Sequence, residues 1–298
     1  MPATKLLPRF MRVHKFLILL LLCGGISFSS LAASKKITKI VIDAGHGGKD
    51  AGAHGEVAYE KDLCLAIALK LGKMIEDSLG DVETIYTRTT DVYPKLEERH
   101  EIANKAGADL FVSIHINSTP FWYEKVQIGT KKVTTGKGKH KKTKTVAVYK
   151  SIRHHTTQVN GVETLVLGSI RNNEKSAAVG EYSEAIVDEP GLMNENDPQT
   201  AIIIAQYTKA FLGNSVALGT AIQDAFGAQG RRDMGVKQQS LEILAGSYMP
   251  GVLVECGFIT NTDEEAYMNS EAGQMEIARA IFQGIRRYKW EMESRNGY

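Results

Sequence analysis

The chain has 298 residues, 43% of them hydrophobic, a length that suits one large α/β domain or two small ones. Its formal charge of +2 is unevenly placed: residues 1–32 hold four Lys/Arg and no Asp or Glu, so the remainder stands at −2. The basic balance is therefore partly a property of the N-terminal segment, and with export, argued next, nucleic acid is not an expected partner.

Lys5, Arg9, Arg12 and Lys15 precede the short apolar run "FLILLLLC" (Phe16 to Cys23), and "SSLAAS" follows with Ser30 and Ala32 as small residues before a cut. That is the pattern of a secretory signal peptide over residues 1–32, too short for a membrane span. Met11 serves equally as a start, and bulky Leu22 argues against a lipoprotein anchor at Cys23. The mature part, 33–298, keeps Cys64 and Cys256, both in apolar settings. An oxidising compartment permits a disulfide, but two buried free thiols are the preferred expectation.

"ITKIVIDAG" (Ile37 to Gly45) reads as a buried strand that ends in a glycine turn. Leu63, Ile67, Leu71, Met74 and Ile75 then recur at helical spacing between Glu60 and Leu79. "VETIYTR" (Val82 to Arg88) is a second strand, a helix runs from about Pro94 to Ala106 with Gly107 closing it, and Asp109 to His115 is a third strand. Strands alternating with helices predict an α/β fold: a single domain with a mostly parallel or mixed twisted sheet between helical layers.

The pattern breaks over Glu124 to Arg153, where ten Lys/Arg stand against one Glu. This basic insertion, bounded as 119–160, predicts a solvated loop or an extended hairpin. The functional alternative is a grip on an anionic wall or membrane surface. "TVAVY" (Thr145 to Tyr149) and "VETLVLG" (Val162 to Gly168) return to strand, and an acidic stretch, Gly180 to Pro198, follows. A long helix is expected from about Gln199 to Phe226. "SLEIL" and "PGVLVECG" read as the last two strands, and a helix from about Ser270 to Trp290 closes the chain.

Polar groups cluster where apolar strands end. His46 sits among Gly45, Gly47 and Gly48, His115 ends "ADLFVSIH", and Glu255 ends "VLVE". In a parallel sheet the C-terminal strand ends share one edge, and Glu60 heads a helix whose preceding loop leaves that edge. Two imidazoles and a carboxylate are a standard ligand set for catalytic zinc with water in the fourth position, and Glu255 would then act as proton carrier. The residue types alone leave a second reading open: strand-end histidines that only hydrogen-bond, and a Glu60 that only favours a helix N-terminus. Glu255 is harder to set aside, because a carboxylate leaving a buried strand is costly without a partner.

"DAGHGGKDAGAHG", "EKDLCLAIALKL", "TRTTDVYPKLEERHEIANKAGADLFVSIHINS", "GVETLVLG" and "PGVLVECGFITNTDEE" occur in this order and resemble the zinc-dependent N-acetylmuramoyl-L-alanine amidases of the amidase_3 type, over most of Ile37 to Tyr288. The resemblance implies a Zn2+ enzyme that cuts peptidoglycan between N-acetylmuramic acid and L-alanine, in wall remodelling and daughter-cell separation. It places His46, Glu60 and His115 on the metal ligands and Glu255 on the catalytic glutamate. Asn117 would contact substrate or support a ligand, and Cys256 is a packing variant where relatives often have an aliphatic residue. Some relatives carry an insertion that covers the zinc until an activator protein binds; the matching region here, 172–205, offers Glu181 and Glu184 as inhibitory groups. A monomer in the periplasm is expected, with secretion to the outside as the alternative.

Overall fold

The computed structural model describes residues 36–120, 122–154, 157–182 and 198–295. The signal-peptide expectation over 1–32 and the Glu184 expectation lie outside the described residues.

The first half of the sheet forms as the apolar pattern requires. β1 (Lys39–Ala44) is followed by α1 (Glu60–Ser78), β2 (Glu83–Tyr86), α2 (Leu96–Ala106) and β3 (Leu110–Asn117). Leu63, Ile67, Leu71 and Ile75 make the buried stripe of α1. Gly107 ends α2 in the left-handed region at φ 65°, a conformation that a Cβ would oppose. β4 (Trp122–Thr135) and β5 (Lys142–His154) come next, then β6 (Val162–Leu167), α3 (Asn172–Glu181) and α4 (Pro198–Ala228). The chain closes through β7 (Asp233–Gln239), α5 (Glu242–Ala245), β8 (Gly251–Phe258), α6 (Thr262–Asn269) and α7 (Glu271–Ser294).

Six strands form one sheet in the order β2-β1-β3-β8-β6-β7. β1 pairs in parallel with β2 and β3, β3 with β8, and β6 with β7; only the β6–β8 junction is antiparallel. Alternate strand residues feed two cores, as a sheet covered on both faces demands. Ile40, Ile42, Val112, Ile114 and Val254 pack with the apolar faces of α1, α4 and α7. Val41, Phe111, Leu165 and Leu253 pack on the other side with residues of α2, α3 and α5. Within that second layer the ammonium of Lys175 is buried; it donates to Leu244 O, Ser247 Oγ and Met249 O, and desolvation lowers its pKa to about 7. Cys64 and Cys256 are buried and unbridged in the first core, where burial raises both thiol pKa values.

One sequence expectation needs correction. "SLEIL" is not a strand: Glu242–Ala245 is a helical turn that buries Ile243, Leu244 and Ala245 together. The strand comes from Asp233–Gln239, whose polar sequence suits an edge with one neighbour, β6. "TVAVY" is strand as expected; it lies in β5, which among the described residues pairs with β4 in a separate antiparallel hairpin. The basic run is thus the hairpin of the two forms anticipated for it. Two helices, α3 and α6, were not anticipated; Asn261 caps α6 by accepting from the amides of Asp263 and Glu264.

Candidate metal centre

β1, β3 and β8 are adjacent and parallel, so their C-terminal ends share one edge of the sheet. His46 lies just beyond β1, while His115 and Glu255 are register partners across β3 and β8. Glu60 is the first residue of α1 and is 4% exposed. The ligand atoms that His46, Glu60 and His115 can offer all lie within 4.8 Å of one another. Glu60 Oε1 is 3.1 Å from His46 Nε2 and 2.9 Å from His115 Nδ1, and the two rings meet edge to face at 4.9 Å.

His46 and Glu60 are held from behind. His46 Nδ1 donates to Asp50 Oδ2 at 2.9 Å, which fixes its tautomer and leaves Nε2 facing Glu60. The backbone amide of Ala53 donates to Glu60 Oε2, and that of Ile116 to Oε1. A Cβ on Gly45 would lie 2.5 Å from the His115 ring, and one on Gly52 would lie 2.6 Å from Glu60 Oε2. Those two glycines let backbone pass where a side chain would displace the trio.

His46 is the one non-glycine among the described residues with positive φ, at 57°. Arginines clamp its loop in that conformation. Arg99 donates to His46 O and Ala44 O, and Arg88 donates to Gly45 O and Ala44 O. Arg99 is itself paired with buried Asp43 at 2.8 Å, and Asp43 also accepts from Thr87 and Ser113. Burial alone would raise the Asp43 pKa; Arg99 and the two hydroxyls outweigh it and hold it low.

The electrostatics of the trio centre on Glu60. Burial opposes charge on Glu60, yet hydrogen bonds from His115 and His46 pull its pKa well below the ordinary carboxylate range. Burial likewise opposes charge on His46, but Glu60 and Asp50 raise it to about 9. A proton on His46 thus supplies positive charge that the buried Glu60 carboxylate demands. A divalent cation would supply it instead, and two imidazoles plus one carboxylate are donors suited to zinc.

Glu255 differs from Glu60. Its Oε2 is buried with no hydrogen-bond partner. Burial first, then the charges of Glu60 and Glu163, push its pKa up to about 7 against the pull of His115 and His46. A carboxylate near neutrality beside the trio is poised to exchange protons at physiological pH.

Asn117 reaches the same edge, where its Nδ2 donates to Glu163 Oε1 and its Oδ1 accepts from the Ser118 amide. Glu163 also receives Lys237 Nζ and is the register partner of Glu255 across the antiparallel junction. Glu181 is not brought to the trio: it is exposed at the end of α3, its charge acts on His100, and the next residue, Tyr182, stacks on Tyr248 ahead of β8. Asp43, Asp50, Arg88, Arg99 and Glu163 were not singled out from sequence. Asp50 had a local signal, a carboxylate four residues from His46; the others act across spans that only the fold closes.

The family described as N-acetylmuramoyl-L-alanine amidase, Amidase_3, matches residues 40–287. The amidase AmiC of Escherichia coli O6:H1 is 30% identical over 255 residues, which are 84% of this chain and 52% of that protein. The endolysin of Bacillus phage SPP1 is 37% identical over 148 residues, 49% of this chain and 54% of that one. The chain thus spans about half the length of these curated relatives. Among solved structures, an N-acetylmuramoyl-L-alanine amidase from Clostridium difficile 630 superposes with a TM-score of 0.55 at 25% identity, covering 85% of this chain and 97% of that one. The CwlD amidase of Clostridioides difficile, solved in complex with the GerS lipoprotein, gives 0.54 at 25% identity, covering 84% and 98%.

Proposed function

Because the chain belongs to the N-acetylmuramoyl-L-alanine amidase family, we propose that it hydrolyses the amide between N-acetylmuramic acid and the first L-alanine of the peptidoglycan stem peptide, using zinc. The observation that carries this reading is the trio of buried Glu60 and half-buried His46 and His115, beside Glu255, whose Oε2 is buried with no hydrogen-bond partner. Zinc in the trio would polarise the scissile carbonyl and lower the pKa of a water to about 7. Asp50 would keep His46 in its ligating tautomer, and the Ala53 and Ile116 amides would keep Glu60 aimed at its partners. Glu255 takes the proton of the attacking water and hands it to the departing L-alanine amine.

Glu163 tunes that base. Its negative charge raises the Glu255 pKa, and it neutralises Lys237. Glu163→Gln removes a repelling charge and frees a cation nearby, so both changes favour ionised Glu255. The acid limb of the pH–rate profile should move to lower pH, measured as kcat/KM on a soluble muramoyl-peptide. A limb that stays in place or moves up would separate Glu163 from the base.

The reaction is tested by giving purified peptidoglycan to the protein and to a form lacking Gly180 to Pro198. New L-alanine amino termini should appear, vanish with a chelator and return with zinc. Release by a metal-free enzyme would remove zinc from the reading; absence of release from both folded, zinc-loaded forms would remove the amidase activity. Higher release from the shortened form would assign inhibition to the 172–205 region. That CwlD was solved in complex with a lipoprotein supports a partner protein for this chain, and relief of such inhibition is the role we propose for it. The basic and apolar pattern of residues 1–32 supports export to the envelope, periplasmic or extracellular, and among the described residues no helix is long and apolar enough to cross a membrane. Daughter-cell separation is the cellular role that fits this chemistry.

A further inference from the structure

The β4–β5 hairpin takes no part in the chemistry above. Its strands have 14 and 13 residues; at about 3.3 Å per residue each spans on the order of 40 Å. Among the described residues no other element packs appreciably against it. A two-stranded ribbon gains little stability alone, and it contributes no buried residue to either core.

Lysines on an open edge have a plain use, since they discourage pairing with other edges. The distribution of the remaining side chains goes further. Paired register and strand alternation put Trp122, Lys131, Lys144 and Lys150 on one face and Tyr123, Lys125, Lys132 and Tyr149 on the other. Trp122, Tyr123 and Tyr149 are each more than half exposed. Trp122 lies nearly flat on His154, with centroids 4.1 Å apart and an interplanar angle of 12°. The aliphatic side chains are one-sided: Val126, Val133, Val146, Val148 and Ile152 share the face of Trp122. Lysines and exposed rings nonetheless stand on both faces, and their charge suits contact with a polyanion.

The root of the hairpin tells which polyanion. Trp122 begins β4 shortly after Asn117, at the sheet edge that holds the trio. The intervening Thr119 is tied to Thr260, just beyond β8, through its amide and its hydroxyl. A polymer lying along the hairpin therefore runs toward the centre that would cut it. We propose that the hairpin is a second binding surface for peptidoglycan, with its lysines on stem-peptide carboxylates and its aromatic rings on sugar faces. The proposal rests on the substrate reading above and extends it from the scissile bond to the neighbouring polymer.

The test is sedimentation with purified peptidoglycan, using the full chain carrying Glu255→Gln so that binding is read without cleavage. Five further changes, K125Q, K131Q, K132Q, K144Q and K150Q, should weaken binding by about tenfold or more at low salt. The parent should lose affinity between about 0.05 M and 0.5 M salt, as the screening length shrinks, and the five-lysine variant should respond little. Peptidoglycan with amidated carboxylates should bind both proteins equally weakly. All of these substitutions are exposed, and an unchanged thermal midpoint confirms the fold; Trp122→Ala with Tyr149→Ala is the second, charge-neutral variant and should also weaken binding. Equal binding by parent and five-lysine variant, or salt-insensitive binding by the parent, overturns the proposal. So does a preference for anionic phospholipid vesicles over peptidoglycan, which would assign the hairpin to a bilayer. Release of L-alanine amino termini by the protein with Glu255 intact judges the reaction independently of this result.

Discussion

Glu255→Gln is expected to abolish amide cleavage, by about 10²–10⁴-fold or more, while the zinc content of the protein stays the same. Glutamine keeps the shape of the side chain, and the trio of His46, Glu60 and His115 does not include this residue. What disappears is the group able to accept a proton and return it. Metal analysis alongside kcat decides the matter. Activity retained within about tenfold would take Glu255 out of proton transfer, and loss of zinc with activity would make it a ligand instead.

The same variant should gain stability where the native carboxylate is least comfortable. In the metal-free protein the folded Glu255 pKa, about 7, lies above its unfolded value, since burial disfavours the charge. Between those two values the unfolded state binds fewer protons, so native stability falls as pH rises toward 7 and stays lowered above it. Glutamine has no such penalty. Denaturation of the metal-free proteins should therefore show Glu255→Gln relatively more stable at pH 8 than at pH 5. Lost activity with gained stability is the signature of a group held in an unfavourable state for its function. A variant less stable at pH 8 would show that the carboxylate is structurally required.

The parts of the fold that could be read in advance are those where local pattern and long-range position agree. β1, β3 and β8 are mostly apolar and run parallel side by side, so residues at their ends had to meet. That is why His46, His115 and Glu255 could be grouped across more than two hundred residues of sequence. β7 hid because an edge strand with one neighbour has little need of apolar residues, and "SLEIL" misled because three buried residues can also be gathered by one helical turn. Glu163 was missed for a topological reason. β6 runs against β8, so the start of that strand, rather than its end, reaches the candidate site. The loop clamp hid because its charges are spread among residues that each look ordinary alone. Asp43 reads as part of "VIDAG" and Arg99 as a surface charge of a helix, yet both are buried and paired.

That clamp gives the second large effect. Arg99→Met removes the partner of a buried carboxylate together with donors to Ala44 O, His46 O and Pro94 O. Breaking a buried ion pair from one side costs about 3–5 kcal/mol, and in a domain of this size each kcal/mol lowers the thermal midpoint by roughly 2–4 °C. The deficit should depend on pH in a definite direction. In the native protein the folded Asp43 pKa lies below its unfolded value, so its contribution is full above the unfolded value and is lost as pH falls through the folded one. In the variant the two hydroxyls oppose burial without the guanidinium, so the folded pKa rises and the stability gained by ionising Asp43 shrinks as pH increases. The difference between the two proteins therefore widens from acid toward neutral pH. Asp43→Leu added to Arg99→Met removes the orphaned charge and should restore part of the loss. The metal centre should suffer beyond any change in global stability, because Arg99 holds the carbonyl of a residue at φ 57°, a conformation that L-residues adopt at a cost. Once that hold is gone the loop relaxes and His46 Nε2 turns away from Glu60. Zinc titration of folded Arg99→Met, well below its melting temperature, should show weakened affinity that the double variant does not recover. Unchanged zinc affinity would mean that the glycine loop keeps its shape unaided, and a double variant no more stable than the single one would mean that the buried charge was not the cause.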